Sequence, residues 1–135
     1  MRAAGPSLAL EAITQRIFVV RGQKVLLDSD LADLYGVDTR RLNEQVRRNR
    51  ERFPKDFIFE LRREEYTNLK SQFATPSWGG RRKLPLAFTE HGAIMTATLL
   101  SSPCAVDVSV YVVRASVQLR ELARSLADLA NRLVA

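Results

Sequence analysis

The segment DSDLADLYGVDTRRLNEQVRRNRERFP, residues 28–54, decides the fold of this 135-residue chain. Asp28 or Ser29 can cap a first helix, because a short polar side chain accepts a hydrogen bond from the free N–H groups of a first helical turn. Gly36 suits the position after that helix ends, since glycine adopts a positive φ angle without strain. Two short helices joined by the tripeptide GVD therefore predict a helix-turn-helix.

The second helix of this segment is predicted to have one apolar face. Asp38 or Thr39 can cap it, and we expect it to run to about Arg52, because the residue before Pro54 disfavours helical geometry. Positions three and four residues apart lie on one side of a helix and form a stripe that should face the core. The members of this stripe are Leu42, Val46, Asn49 and Phe53.

Positive charge is concentrated around the same helix. The chain contains 21 Lys and Arg against 15 Asp and Glu, a formal net charge of +6. Nine basic and four acidic residues lie from Arg40 to Arg63, so nine minus four gives this stretch +5, most of the excess. A basic excess favours a polyanionic partner such as nucleic acid. A charged face that is only solvated would carry both positive and negative side chains. The excess of positive side chains on this helix therefore favours DNA binding.

The exposed side of the second helix carries residue types that can read DNA. Arginine fits phosphate groups and guanine edges, and asparagine can pair with adenine. In a helix-turn-helix, the first part of the second helix meets the bases. We therefore predict base contacts from Thr39, Arg40, Arg41, Asn43 and Arg47. We predict phosphate contacts from Arg48, Arg50, Arg81, Arg82 and Lys83.

Three of these phosphate contacts come from a second basic cluster, WGGRRK, residues 78–83. Its two glycines permit a tight turn that exposes cations and an aromatic ring. A loop of this kind can act as a wing, a loop beside the helix-turn-helix that contacts phosphate groups or the minor groove of DNA. An ordinary exposed loop whose Trp78 packs into the core explains the same residues. The residues alone leave both readings open.

The rest of the domain is predicted to supply a small sheet and further helices. Apolar runs on either side of Arg21-Gly22-Gln23 predict a β-hairpin. The predicted strands are residues 17–20, 24–27, 57–61 and 84–88, and further helices are predicted over residues 63–73 and 89–100. We expect residues 1–13 to be loosely ordered. The predicted fold is a small single α+β domain, residues 14–118, with short β-hairpin strands around a helix-turn-helix-like core and a long C-terminal helix.

That C-terminal helix, residues 103–135, is predicted to carry a heptad seam. Apolar residues recur at alternating steps of four and three, a period typical of coiled coils. They are Val108, Val112, Ala115, Leu119, Leu122, Leu126, Leu129 and Leu133. Packing of the helix on its own domain is the alternative, and we expect it for the first half. Beyond about residue 118 little chain remains to cover the leucines, so we expect a homodimer formed through Leu119, Leu122, Leu126, Leu129 and Leu133.

Three segments carry a family resemblance: IFVVRGQKVLLDSDLADLYGVDTRRLNEQVRRNRERFPKDFIFEL, NLKSQF and SWGGRRKLPLAFTEHG. They lie in order across roughly 85 of the 135 residues. They resemble the KilA-N superfamily, and most closely its branch called the ORF-six N-terminal (ORF6N) domain. The resemblance implies a DNA-binding domain of phage, prophage or bacterial regulators, with residues 77–82 as the signature loop. Two positions depart from the family pattern: His91 replaces a usual glutamine, and Ala115-Ser116 replaces a usual aromatic residue.

Nothing in the sequence predicts an enzyme. The chain has one cysteine and one histidine, Cys104 and His91, and no oxyanion motif or third orienting group accompanies them. The acidic cluster around Asp28 lies where helix capping explains it, so we expect no metal site and no cofactor. We expect a cytoplasmic protein without a membrane segment, whose partner is double-stranded DNA. The alternative function is an antirepressor-like module that binds another regulatory protein through its C-terminal helix.

Overall fold

A computed structural model describes residues 6–73, 83–101 and 103–134 of the chain. Six α-helices and four strands lie in these ranges, which confirms the predicted small α+β domain with a long C-terminal helix. The helices are α1 (Pro6–Thr14), α2 (Asp28–Tyr35), α3 (Thr39–Arg48), α4 (Arg63–Phe73), α5 (Glu90–Leu100) and α6 (Pro103–Val134). The strands are β1 (Phe18–Val20), β2 (Gln23–Leu27), β3 (Ile58–Glu60) and β4 (Leu86–Phe88).

The four strands form one antiparallel sheet in the order β1-β2-β4-β3. Arg21 and Gly22 join β1 to β2, and their φ angles of 54° and 75° give the tight two-residue turn of a β-hairpin. In the middle of the sheet, Phe88 lies opposite Leu26 on one side and Ile58 on the other. The sheet therefore connects segments that precede and follow α2 and α3 in the chain.

Side chains on the sheet alternate between two apolar layers. Leu26 and Phe88 belong to the main core, together with residues of α2, α3, α5 and the first half of α6. Their neighbours Leu27 and Ala87 belong to a second layer, which Tyr66 of α4 helps to cover. Because successive strand residues point to opposite faces, the sheet separates α4 from α2 and α3.

The N-terminal segment differs from the prediction. Residues 1–13 were expected to be loosely ordered, whereas Pro6–Thr14 form α1, which packs against α6. Ile13 is 1% exposed and lies in the main core, with Leu10 packed beside it. Contact with α6, a partner about a hundred residues away in the chain, stabilises a short helix that lacks local capping signals.

Helix α3 ends earlier than predicted. It stops at Arg48, Asn49 leaves helical geometry with φ −114° and ψ 21°, and a single 3₁₀ turn over Arg50–Arg52 follows. The apolar stripe still faces the core through this change, and Phe53 beyond the 3₁₀ turn is 7% exposed. The tighter turn brings Phe53 into the core without a continuous helix.

One face of helix α6 is buried along the first half of the helix, and the second half is exposed. Val112 and Ala115 are 1% and 0% exposed and belong to the main core, as predicted for this half. Leu122 and Leu133 are 56% and 80% exposed. Although α6 has 32 residues, neither it nor any other described helix is both long and apolar enough to cross a membrane.

Candidate nucleic-acid interface

The turn between α2 and α3 is held rigidly. Gly36 has the predicted positive φ angle, 74°, and the N–H of Val37 donates to the carbonyl of Ala32 at 3.0 Å. The hydroxyl of Tyr35, at the end of α2, donates to the carbonyl of Ala93 in α5 at 2.7 Å. Burial raises the pKa of this Tyr35 hydroxyl, so it stays a hydrogen-bond donor. The angle at which α3 leaves the turn is therefore tied to the core.

The rotation of α3 about its axis is fixed by its apolar side. Leu42 and Val46 are 0% and 1% exposed in the main core. The other side carries four exposed arginines: Arg40, Arg41, Arg47 and Arg48. Within the described part of the chain, only one of these four forms an ion pair, between Arg40 Nε and Glu44 Oε2 at 3.6 Å. The face opposite the core is therefore strongly cationic.

Arg50 and Thr39 lie at the two ends of this basic face. Thr39 begins α3 and is half-buried. Arg50 is exposed on the 3₁₀ turn, and its Nη2 donates to the carbonyl of Ile58 at 3.3 Å. Arg50 also lines an open groove of about 620 Å³ together with Lys55 and Arg21. Because Glu51 and Glu60 line the same groove, the charge past the end of α3 is mixed, and only Arg50 extends the basic face directly.

Asn43 is engaged inside the domain, although the sequence suggests that it contacts bases. Its Nδ2 donates to Oδ2 of Asp28 at 3.1 Å, and the N–H of Leu86 donates to the same oxygen at 3.2 Å. Asp28 is 1% exposed, and its Oδ1 accepts from the N–H of Ser29 at 2.7 Å. Asn43 is half-buried, and its Oδ1 is buried without a hydrogen-bond partner. The structure therefore gives Asn43 an internal contact that links α3 to α2 and β4.

The N-cap of α2 differs from the prediction, which placed Asp28 or Ser29 there. The N-cap residue is Leu27, which makes no side-chain capping bond, and Asp28 is the first helical residue. Asp28 therefore bonds the neighbouring N–H of Ser29 and reaches across to α3 and β4. No local sequence signal marks this role, because its other two partners lie 15 and 58 residues away.

The second basic cluster is only partly described. Arg81 and Arg82, with residues 77–80, lie outside the described residues. Lys83 is exposed at the bend that leads into β4. The proposed wing therefore stays a prediction.

One basic residue of the hairpin turn is bound within the domain. Arg21 Nε and Nη2 donate to the two carboxylate oxygens of Glu65 at 2.9 and 3.0 Å, and the guanidinium lies 4.4 Å from the centroid of the Phe59 ring. The hydrogen bond from Arg21 lowers the pKa of Glu65, and the same bond raises the pKa of Arg21. Arg21 therefore fastens the hairpin to α4 and is less available to DNA than the α3 arginines.

The only histidine and the only cysteine of the sequence are both exposed. His91 is exposed and stacks on Phe57 with ring centroids 5.2 Å apart. Cys104 is exposed at the start of α6. A methyl group built on Gly36 would lie 3.7 Å from the Sγ of Cys104, so α6 begins beside the turn between α2 and α3.

Comparison with known proteins identifies one family. The model of the ORF6N domain matches residues 15–99, which include the sheet, α2 to α4 and nearly all of α5. No curated protein sequence and no solved structure matches the chain.

Proposed function

The chain belongs to the ORF6N domain family, and from this premise we propose that it is a double-stranded DNA-binding regulator of the phage or prophage type. The observation that carries the proposal is the exposed cationic face of α3, which lies opposite the core-facing residues Leu42 and Val46. The turn between α2 and α3 fixes the direction of α3, and the buried side of α3 fixes its rotation. The arginines on the opposite side therefore form one surface. A helix of this width fits the major groove of B-form DNA. The proposal assigns the chain a binding role and no catalysis.

The contacts on α3 divide by position along the helix. Arg40 and Arg41 are proposed base readers, with Thr39 at the start of the helix, because the first part of a recognition helix meets the base edges. Arg47, in the last turn of α3, is the third proposed base reader, because it lies two turns beyond Arg40 on the same face. The proposed phosphate contacts are Arg48, Arg50, Arg81, Arg82 and Lys83. Asn43 joins the base readers only if its amide leaves Asp28, so we expect the arginines to dominate.

Affinity for DNA is expected to fall steeply with salt. Five phosphate contacts per copy release counterions and give a slope of about −4.5 in log affinity against log salt, or several hundredfold between 50 and 200 mM. Fluorescence anisotropy with a labelled mixed-sequence duplex measures this slope. The double variant Arg41→Glu with Arg47→Glu should bind at least about 100-fold more weakly, because two contacts become repulsive.

The matched control changes the same total charge away from α3. Arg63→Glu with Arg124→Glu alters exposed arginines on α4 and on the second half of α6. Screening over about 8 Å at physiological salt limits its expected effect to about fivefold. Affinity that does not respond to salt, or equal losses in both double variants, would contradict binding through α3.

We also propose that the chain self-associates through the exposed half of α6. Leu122, Leu126 and Leu129 are 56%, 58% and 52% exposed, and Leu133 is 80% exposed. Burying their exposed parts contributes about 1 kcal/mol per leucine, or roughly 8 kcal/mol for two copies. Association costs on the order of 4–15 kcal/mol, so at the low end of this cost about 4 kcal/mol remains, and we expect a weak dimer in the millimolar range.

Leu126→Asp is expected to abolish this dimer without unfolding the domain, because a carboxylate would be buried at the centre of the interface. Sedimentation velocity over a concentration series gives the oligomeric state, and circular dichroism gives the melting temperature. Arg124→Asp is the control, since it places the same side chain on the other side of the helix. Wild-type protein that stays monomeric at concentrations of several millimolar would refute self-association and favour a different protein partner, as an antirepressor would require.

A further inference from the structure

The exposed apolar seam of α6 is continuous with the face that is buried in the same domain. Val112 and Ala115 pack into the core, and the same heptad spacing continues through Leu122 to Leu133. A heptad repeat drifts by only about 20° per seven residues on a straight helix, so the whole seam lies on one side of α6. A helix that covers the exposed part must therefore lie on the side where the domain body lies.

This geometry points to an antiparallel arrangement, and we propose that two copies pair through the second halves of their α6 helices in opposite directions. The inference rests on the self-association proposed above. In a parallel pair, the first half of the partner's α6 would run along the first half of this α6, on its apolar side. That volume is already filled by α1 and α5, which pack against α6. An antiparallel partner runs away from the body and avoids this overlap.

The direction of α6 where it leaves the body supports this arrangement. Arg120 Nη2 and Glu90 Oε1, on α5, form an ion pair at 3.2 Å just before the exposed leucines begin. This contact lies one turn beyond the last buried residue, Ser116, which is 4% exposed. Because α6 is one helix from Pro103 to Val134, its second half continues the line of the first and presents the seam beyond the last buried residues.

An antiparallel register brings the four exposed leucines together. With the midpoint between residues 127 and 128, Leu122 lies opposite Leu133 of the partner subunit, and Leu126 lies opposite Leu129 of the partner subunit. Small residues, Ala123 and Ala130, flank the seam on one side, so the helices can approach without like charges facing each other. Such a contact buries on the order of 1,000 Å² in total, the lower end for a specific interface. A second copy is therefore a fitting occupant.

The native cysteine allows a direct test of the helix direction. Cys104 is exposed and is the only cysteine of the chain, so a spin label attaches at one site. It lies about 24 residues from the proposed midpoint, so at a rise of 1.5 Å per residue two labels are expected about 70 Å apart. Pulsed electron paramagnetic resonance on the full chain, at a concentration above about 1 mM so that the dimer is populated, measures this distance. A parallel pair would give less than about 30 Å.

A second label position shows whether the dimer forms at all. In the Cys104→Ser background, Arg124→Cys places a label near the midpoint, where both directions of pairing give a short distance of about 20–30 Å. A short distance at 124 together with a long one at Cys104 is the expected result, and Leu126→Asp should remove both. Short distances at both positions would overturn the antiparallel arrangement but not self-association. No distance at position 124 would overturn both, and the salt-dependent DNA binding of α3 would still be measured separately.

Discussion

Replacing Gly92 with alanine is expected to destabilise the domain by more than about 3 kcal/mol, a large part of the stability of a small domain. Gly92 lies in the first turn of α5, where a methyl group would overlap the carbonyl oxygen of Phe57 and lie 3.1 Å from Ile58 Cγ1. That carbonyl cannot move away cheaply, because it accepts hydrogen bonds from the N–H and Oγ1 of Thr89 at 3.0 and 3.1 Å. The clash is therefore with fixed backbone and not with a flexible side chain.

Chemical denaturation followed by circular dichroism measures this loss. Gly22→Ala is the matched control, because Gly22 has a positive φ angle of 75° but no atom within 4 Å of an added methyl group. Its cost should be only the strain of a left-handed alanine, about 1–2 kcal/mol. If the two alanine variants lost the same free energy of unfolding, the overlap at Gly92 would be ruled out as the dominant cause.

Asp28→Ala is expected to cost about 3 kcal/mol or more. The buried carboxylate accepts from the backbone N–H groups of Ser29 and Leu86 and from the amide of Asn43. Removing it leaves the N–H of Leu86 and the Asn43 amide without this acceptor, and each unsatisfied buried group costs about 1–3 kcal/mol. The lost hydrogen bonds are those that join α2, α3 and β4. We therefore expect this junction, which also orients the basic face of α3, to be weakened most.

Asp33→Ala is the control for a lost aspartate on the same helix. Asp33 pairs with Arg16 at 2.7 Å, but its side chain is 67% exposed, so its removal should cost less than about 1 kcal/mol. Urea titrations of the two variants give the comparison. A small loss for Asp28→Ala, equal to that of Asp33→Ala, would show that the three hydrogen bonds are not needed for stability.

Much of the fold could be predicted because its signals are local. Gly36 marks the end of α2 through its backbone freedom, and Thr89 begins α5, where its hydroxyl accepts from the N–H of Gly92 at 3.3 Å. The hairpin follows from the two-residue turn at Arg21 and Gly22. Period-2 and period-3.6 patterns then assign the remaining elements, since burial of one face sets each pattern.

The features that were missed depend on distant contacts. Helix α1 exists because Ile13 reaches the core beside α6, and nothing in the first residues indicates that partner. Asn43 has the residue type of a base reader, but its amide meets a carboxylate that only the folded chain brings within 3.1 Å. The exposure of the α3 arginines could be predicted, because it follows from the apolar stripe on the opposite side. The engagement of Arg21 by Glu65, 44 residues away, could not.

The proximity of Cys104 to Gly36 has a consequence for the DNA sequence that the proposed dimer would bind. Because α6 starts beside the turn that precedes α3, the separation of the two Cys104 residues in an antiparallel pair approximates the separation of the two α3 helices. About 70 Å corresponds to two helical repeats of B-form DNA, at roughly 34–36 Å each. We therefore expect sequences selected from a random DNA pool to contain two half-sites centred about 20 base pairs apart, and half-sites 10 base pairs apart would contradict this spacing.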